Sequence, residues 1–134
     1  MPEQVLLGFD FGQKKIGVAV GNTLTRQARP LTILLPKTRE ERFKQIAALL
    51  EEWQPERLIV GLPLTIEGLE QDASRASRRF ANQLNGRFGK DVQLVDERGS
   101  SLEAQALLGS HAPDDAMAAA VILQRYLDAL DSLK

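Results

Sequence analysis

The chain has 134 residues, 43% of them hydrophobic, and 17 basic against 18 acidic side chains give a formal net charge of −1. This is the composition of one average globular domain, residues 1–134, and it excludes collagen-like, low-complexity and disordered chains. No cysteine and a single histidine, His111, exclude disulfides, thiolate sites, a cysteine nucleophile and multi-histidine zinc, while plentiful carboxylates leave an oxygen-ligated metal open.

Val5 to Phe11 is a short apolar run stopped by Gly12 and reads as a strand. After the polar turn Gln13-Lys14-Lys15, Ile16 to Val20 is a second strand, close enough to form a hairpin with the first. A third fits Leu31 to Leu35, between Pro30 and Pro36. Thr38-Arg-Glu-Glu41 then matches a capping box, and Phe43, Ile46, Ala47, Leu50 and Trp53 follow at helical spacing until Pro55. Arg57 to Val60 is a fourth strand, ended by Gly61-Leu-Pro-Leu64. Leu69, Ala73, Ala76, Phe80, Leu84 and Phe88 predict a long amphipathic helix, and Asp91 to Val95 a fifth strand. Ser100-Ser-Leu-Glu103 is a second capping box opening a short helix, and Asp114 is a candidate N-cap for a last helix reaching about Leu130. Three hairpin-linked strands followed by strand–helix alternation imply an α/β fold. Its mixed five-stranded sheet has strands 1–3 antiparallel, strands 4 and 5 parallel, and helices on its faces.

No stretch approaches the roughly 18–20 apolar residues of a membrane span. The start, Met-Pro-Glu-Gln, lacks the basic residues of a signal peptide, so no membrane association and a cytoplasmic location are expected. Charge is uneven along the chain. Residues 1–39 hold six bases and two acids, residues 40–90 eight of each, and residues 91–134 three bases and eight acids.

Asp10 interrupts an apolar strand between Phe9 and Phe11, with Gly8 and Gly12 leaving open backbone beside it. Alternation sets Leu6, Gly8 and Asp10 on one face and Leu7, Phe9 and Phe11 on the other. A carboxylate there costs several kcal/mol unless it is paired or holds a cation; the plainer alternative is an aspartate bonded in the turn. Asp96-Glu97-Arg98 ends the fifth strand, and only one of its two acids can face the way Asp10 faces. Asp115 shares a helical stripe with Ala119, Ile122 and Tyr126, so it is expected to face the sheet, while Asp114 caps the helix. Acids from these three places could meet at one sheet edge, where Mg²⁺ or Mn²⁺ would neutralise them. Arg75, Arg78 and Arg79 lie opposite the apolar stripe of the long helix. With Lys14, Lys15, Arg26 and Arg29 they could grip a phosphate backbone, or simply be solvated.

The ordered set Gly8-Phe-Asp-Phe-Gly12, Ile16-Gly-Val-Ala, Val60-Gly-Leu-Pro-Leu64, Asp96-Glu-Arg98 and Asp115 with Ala118-Ala119 and Ile122-Leu-Gln resembles the YqgF family. That family is also called RuvX and is described as a Holliday junction resolvase and as a pre-16S rRNA nuclease. The resemblance runs from about Val5 to Leu127. It implies an RNase H-like fold and a metal-dependent nuclease that processes the 5′ end of pre-16S rRNA, with junction cleavage in recombination as the alternative. It also implies that Asp10, Glu97 and Asp115 are catalytic and hold two Mg²⁺ or Mn²⁺ ions. The implied partner is nucleic acid, either structured RNA such as pre-16S rRNA or branched DNA. Phosphate contacts would come from Lys14, Lys15, Arg75, Arg78, Arg79 and Arg98, in a monomer or weak homodimer. The chain departs from the family pattern at Gly99, where Leu is usual, at Asn22, often Asp, and in the short 108–113 stretch, commonly longer and basic. Two other classes share parts of the pattern. Sugar kinases and actin-like ATPases use a similar glycine–aspartate hairpin but need two such domains. A non-catalytic RNase H-like module would bind RNA or protein without turnover.

Overall fold

Alternating apolar residues build the centre of the sheet. In the computed structural model of the chain, the described residues are 4–97 and 115–131. Strands β1 (Val5–Phe11), β2 (Ile16–Asn22), β3 (Gln27–Leu34), β4 (Arg57–Leu62) and β5 (Asp91–Asp96) form one sheet in the order β3-β2-β1-β4-β5. β1 pairs antiparallel with β2, and β2 with β3, whereas β1–β4 and β4–β5 are parallel. The mixed five-stranded sheet expected from the sequence is therefore present, with β1 at its centre.

The two faces of β1 feed two cores. Leu7 and Phe9 pack with Val18, Val60, Phe43, Ile46, Leu50, Phe80 and Leu84 beneath α1 (Arg39–Trp53) and α2 (Asp72–Phe88). The Phe80 ring stacks on Phe11 at 4.5 Å and meets Phe9 edge-on at 5.8 Å. Leu6, Ala19 and Ile59 pack on the other face against Ala119, Ile122, Leu123 and Leu127 of α3 (Asp115–Asp131). A Cβ at Gly8 would stand 2.9 Å from the Cβ of Leu123, so this glycine lets the helix lie against the strand.

Several boundaries and contacts differ from the sequence reading. β3 runs through Pro30 and starts earlier than Leu31. β3 is the edge strand, and Pro30 stands opposite Ala19, where the register slips between Val18 and Ala19; an edge or bulge tolerates the missing N–H. The α3 side chain of Gln124 clips this edge, accepting from the Ala28 N–H at 2.9 Å and donating to the Arg26 carbonyl at 2.8 Å. α1 is capped by Thr38, whose hydroxyl accepts from the Glu41 N–H at 3.0 Å, but the Glu41 carboxylate reaches back to Lys37, not to Thr38. It ends because Gln54 turns left-handed, with φ of 48°, just before Pro55. Leu69, assigned to the long helix by spacing, is not helical, because α2 begins at Asp72. Gly68, at φ of 86°, and the Thr65 hydroxyl, which accepts from the Leu69 N–H, close a turn there instead. The helix expected at Ser100–Glu103, the Asp114 cap and His111 lie outside the described residues. No helix among the described residues is long and apolar enough to cross a membrane.

Candidate active site

Parallel pairing brings the C-terminal ends of β1, β4 and β5 to one end of the sheet. Leu62 pairs with Asp96, and the ladder extends one residue further through the Glu97 N–H to the Leu62 carbonyl at 3.1 Å. Strand alternation then sends the Glu97 side chain to the α3 face, the face that also carries Gly8 and Asp10. β4 lies between β1 and β5, and Gly61 leaves the room above it that the Glu97 carboxylate fills. Asp10 and Glu97, 87 positions apart in the chain, are thereby neighbours.

Their contact is electrostatically unfavourable as it stands. Burial first, then the Asp10 charge and a proton-sharing contact with Asp10, push the Glu97 carboxyl up to about 8; Arg125 opposes this and Asp96 adds to it. Two carboxyl groups can bond only if one keeps its proton. Glu97 Oε2 is buried and has no hydrogen-bond partner, an expensive state for an ionised oxygen. An orphaned carboxylate oxygen beside a second carboxylate fits a hard divalent cation, which prefers oxygen ligands.

Asp115 is the first residue of α3, and its side chain lies outside the described residues. The course of the helix is informative even so. Leu127 and Leu123 lie by Gly21, which pairs with Leu6, and Leu123 and Ala119 lie by Gly8. As β1 advances from Leu6 to Asp10, α3 therefore runs back toward its start. Among the described residues no three acidic or histidine side chains form a metal-holding group.

The predicted basic residues divide. Lys14 and Lys15 are exposed on the β1–β2 turn, at the acid end of the sheet. Arg78 makes two bonds to Glu70, at 2.8 and 3.2 Å, and Arg75 is paired with Asp72, while Arg79 has no ion-pair partner among the described residues. Arg26 and Arg29 lie toward the opposite end, where Arg26 donates to the Thr23 carbonyl and Arg29 covers the Trp53 ring at 5.6 Å. Those two are not brought to the acids. Arg98 lies outside the described residues.

The family model described as "RuvX: Holliday junction resolvase" matches residues 4–129. The chain belongs to the RuvX family. This RuvX chain is 71% identical over 130 residues to a Bordetella parapertussis protein named "Putative pre-16S rRNA nuclease", covering 97% of this chain and 98% of the relative. A Paraburkholderia phytofirmans protein of the same name is 52% identical over 132 residues, covering 96% and 90%. Among solved structures, the fold is similar to T. thermophilus RuvC in complex with Holliday junction substrate, at a TM-score of 0.60 and 19% identity, with 96% of each chain covered. It is also similar to Fowlpox virus resolvase in its Holliday junction complex, at 0.61 and 12%, covering 94% and 98%. The RuvC-like, RNase H-type architecture implied by the motifs is thus present.

Two residues beside this candidate site are given no role by the motifs. Gly61, read as the start of a turn, is the floor under Glu97. A glycine closing an otherwise apolar strand was the available signal. Arg125 is the only base in α3; its Nη1 donates to the Asp96 carbonyl at 2.9 Å and its charge opposes the rise at Glu97. A lone base in an alanine-rich helix was its signal. Gly61→Ala should be severe for its size. The new methyl would come within 2.3 Å of Glu97 Oε2 and 2.6 Å of Ile122 Cδ1, so both side-chain ends would have to move. We expect a loss of about 1–3 kcal/mol in urea unfolding, from overpacking, together with weakened Mn²⁺ binding by calorimetry. Unchanged Mn²⁺ affinity would show that Glu97 has no part in a metal site.

Proposed function

We propose that this RuvX protein is a metal-dependent nuclease that hydrolyses phosphodiester bonds in the 5′ region of pre-16S rRNA. The buried Asp10–Glu97 pair, with an oxygen left unsatisfied, carries this reading. The names of its relatives supply the RNA, and a part in ribosome assembly agrees with a cytoplasmic location.

Asp10, Glu97 and Asp115 would hold Mg²⁺ or Mn²⁺, as two ions. A divalent ion bound there neutralises the scissile phosphate and lowers the pKa of a water nucleophile. Asp10 and Glu97 must both be ionised to serve, so Glu97 gives up its proton to solvent when its neighbour's charge is offset. The Ile122 side chain and the Glu97 carboxylate share the space above Gly61, so the carboxylate is bounded on that side by apolar packing. Lys14 and Lys15, exposed on the turn at the acid end of the sheet, would contact phosphates beside the cut, and Arg79 and Arg98 are the further bases assigned to the strand. Arg75 and Arg78 can join them by exchanging exposed partners, since such pairs contribute about 1 kcal/mol or less.

Junction cleavage is the second reading, favoured by the family's description and by the fold shared with junction-bound resolvases. One assay separates the two: pre-16S RNA and a four-way DNA junction offered side by side with Mg²⁺ or Mn²⁺. Faster cutting of the RNA, stopped by chelation, supports the proposal, and faster cutting of the junction supports the alternative. Binding without cleavage of either would leave a non-catalytic module.

A further inference from the structure

The turn between β4 and α2 presents apolar side chains to solvent. Four large hydrophobic residues are strongly exposed among those described, and two share this turn: Ile66 at 91% and Leu69 at 63%. Their exposure is built in. The Thr65 N–H bonds the Leu69 carbonyl at 3.0 Å, the Gly68 N–H bonds the Thr65 carbonyl at 2.8 Å, and the Thr65 hydroxyl takes the Leu69 N–H at 3.0 Å. The buried Ser74 hydroxyl donates to the Pro63 carbonyl and ties the turn to the start of α2. A hydrophobic tip on a braced turn is positioned to be used.

Its place suggests the use. Ile66 is four residues beyond Leu62, whose carbonyl binds the Glu97 N–H. Four residues span at most about 14 Å, roughly four base steps at ~3.4 Å along a strand. Exposed Lys14 and Lys15 stand at the same end of the sheet. Two aliphatic side chains are far smaller than the ~800 Å² per partner of a stable protein interface, but they match the apolar wedges that open a single base step. Glu67 on the same turn argues against phosphate contact there, leaving insertion among bases as the contact the turn can make.

We propose that the Ile66–Leu69 turn is a wedge that unstacks bases beside the scissile phosphate, so that the substrate is taken at a boundary between paired and unpaired strand. This rests on the nuclease reading above. The test uses RNA carrying 2-aminopurine at such a boundary, with the wild-type chain, Ile66→Ser and Ile66→Phe. Wild type should raise the fluorescence on binding and Ile66→Phe should retain the rise. Ile66→Ser should lose it, and should cut base-paired RNA about tenfold less efficiently while cutting single-stranded RNA as wild type does. Wild-type cleavage with no fluorescence change, or with Ile66→Ser equal on both RNAs, overturns the wedge and leaves the nuclease standing. Sedimentation showing a dimer that Ile66→Ser dissociates, with unaltered fluorescence, makes the turn a protein contact and also overturns it. A wild-type chain that neither binds nor cuts nucleic acid overturns the wedge and the nuclease together.

Discussion

Asp10→Asn should reduce cleavage by about 10³-fold or more while the chain stays folded. Asparagine keeps the size of the side chain and removes one of the two charges that make this end of the sheet attractive to a divalent cation. Several kcal/mol of charge stabilisation depends on such a cation, and about 4 kcal/mol corresponds to that factor. The fold should not suffer, because the substitution also removes a like-charge repulsion that Glu97 now experiences. Glu97→Gln should fail to a similar extent, and the double variant should be little worse than either single one, since the two act as a unit. Single-turnover cleavage at saturating Mn²⁺ is the measurement. Equal rates for Asp10→Asn and wild type would remove the site from the reaction.

In the absence of divalent metal, stability should fall as pH rises from about 5 to 8. The Glu97 carboxyl has an ordinary value of 4.5 and is held at about 8 in the folded chain. Below 4.5 the group is protonated whether the chain is folded or not. Between 4.5 and 8 the unfolded chain releases a proton that the folded chain retains, so each step upward favours unfolding. The contribution is fully present below the lower value and is gone once pH passes the upper one. Its size is on the order of a few kcal/mol, shared with Asp10 as a coupled pair, and roughly 10 °C in Tm for a chain of this length. Glu97→Gln should be flat over this range and more stable than wild type at pH 8. Millimolar Mg²⁺ at pH 8 should restore the wild-type Tm and leave the variant unmoved. Parallel melting curves for the two in EDTA from pH 5 to 8 would contradict the burial and crowding of this carboxyl.

Much of the fold was legible because the core elements obey their periods. β1 alternates strictly, which puts Asp10 on the face of Leu6 and Gly8, and the two cores lie on the faces this alternation requires. Thr38 announced α1 through its cap. Misreadings arose where tertiary context overrides a local signal. Pro30 looked like a strand terminator and is accommodated by an edge bulge. Leu69 fitted the apolar spacing of α2, but hydrogen bonds from Thr65 hold it in the preceding turn. For the site, the motif order singled out Asp10 and Glu97, and parallel pairing of β1, β4 and β5 makes them neighbours. What no local pattern could show is the cost of the arrangement. The unsatisfied oxygen of Glu97, the glycine floor at Gly61 and the counter-charge of Arg125 exist only once three strands and a helix are assembled.

A crystal of the wild-type chain soaked in Mn²⁺ and measured at a wavelength where manganese scatters anomalously tests the central claim most directly. The account predicts an anomalous peak within coordination distance of Asp10 and Glu97, with Asp115 closing the site from α3. A Mn²⁺-saturated crystal with no peak between those carboxylates, or with Asp115 turned away to solvent, would contradict it.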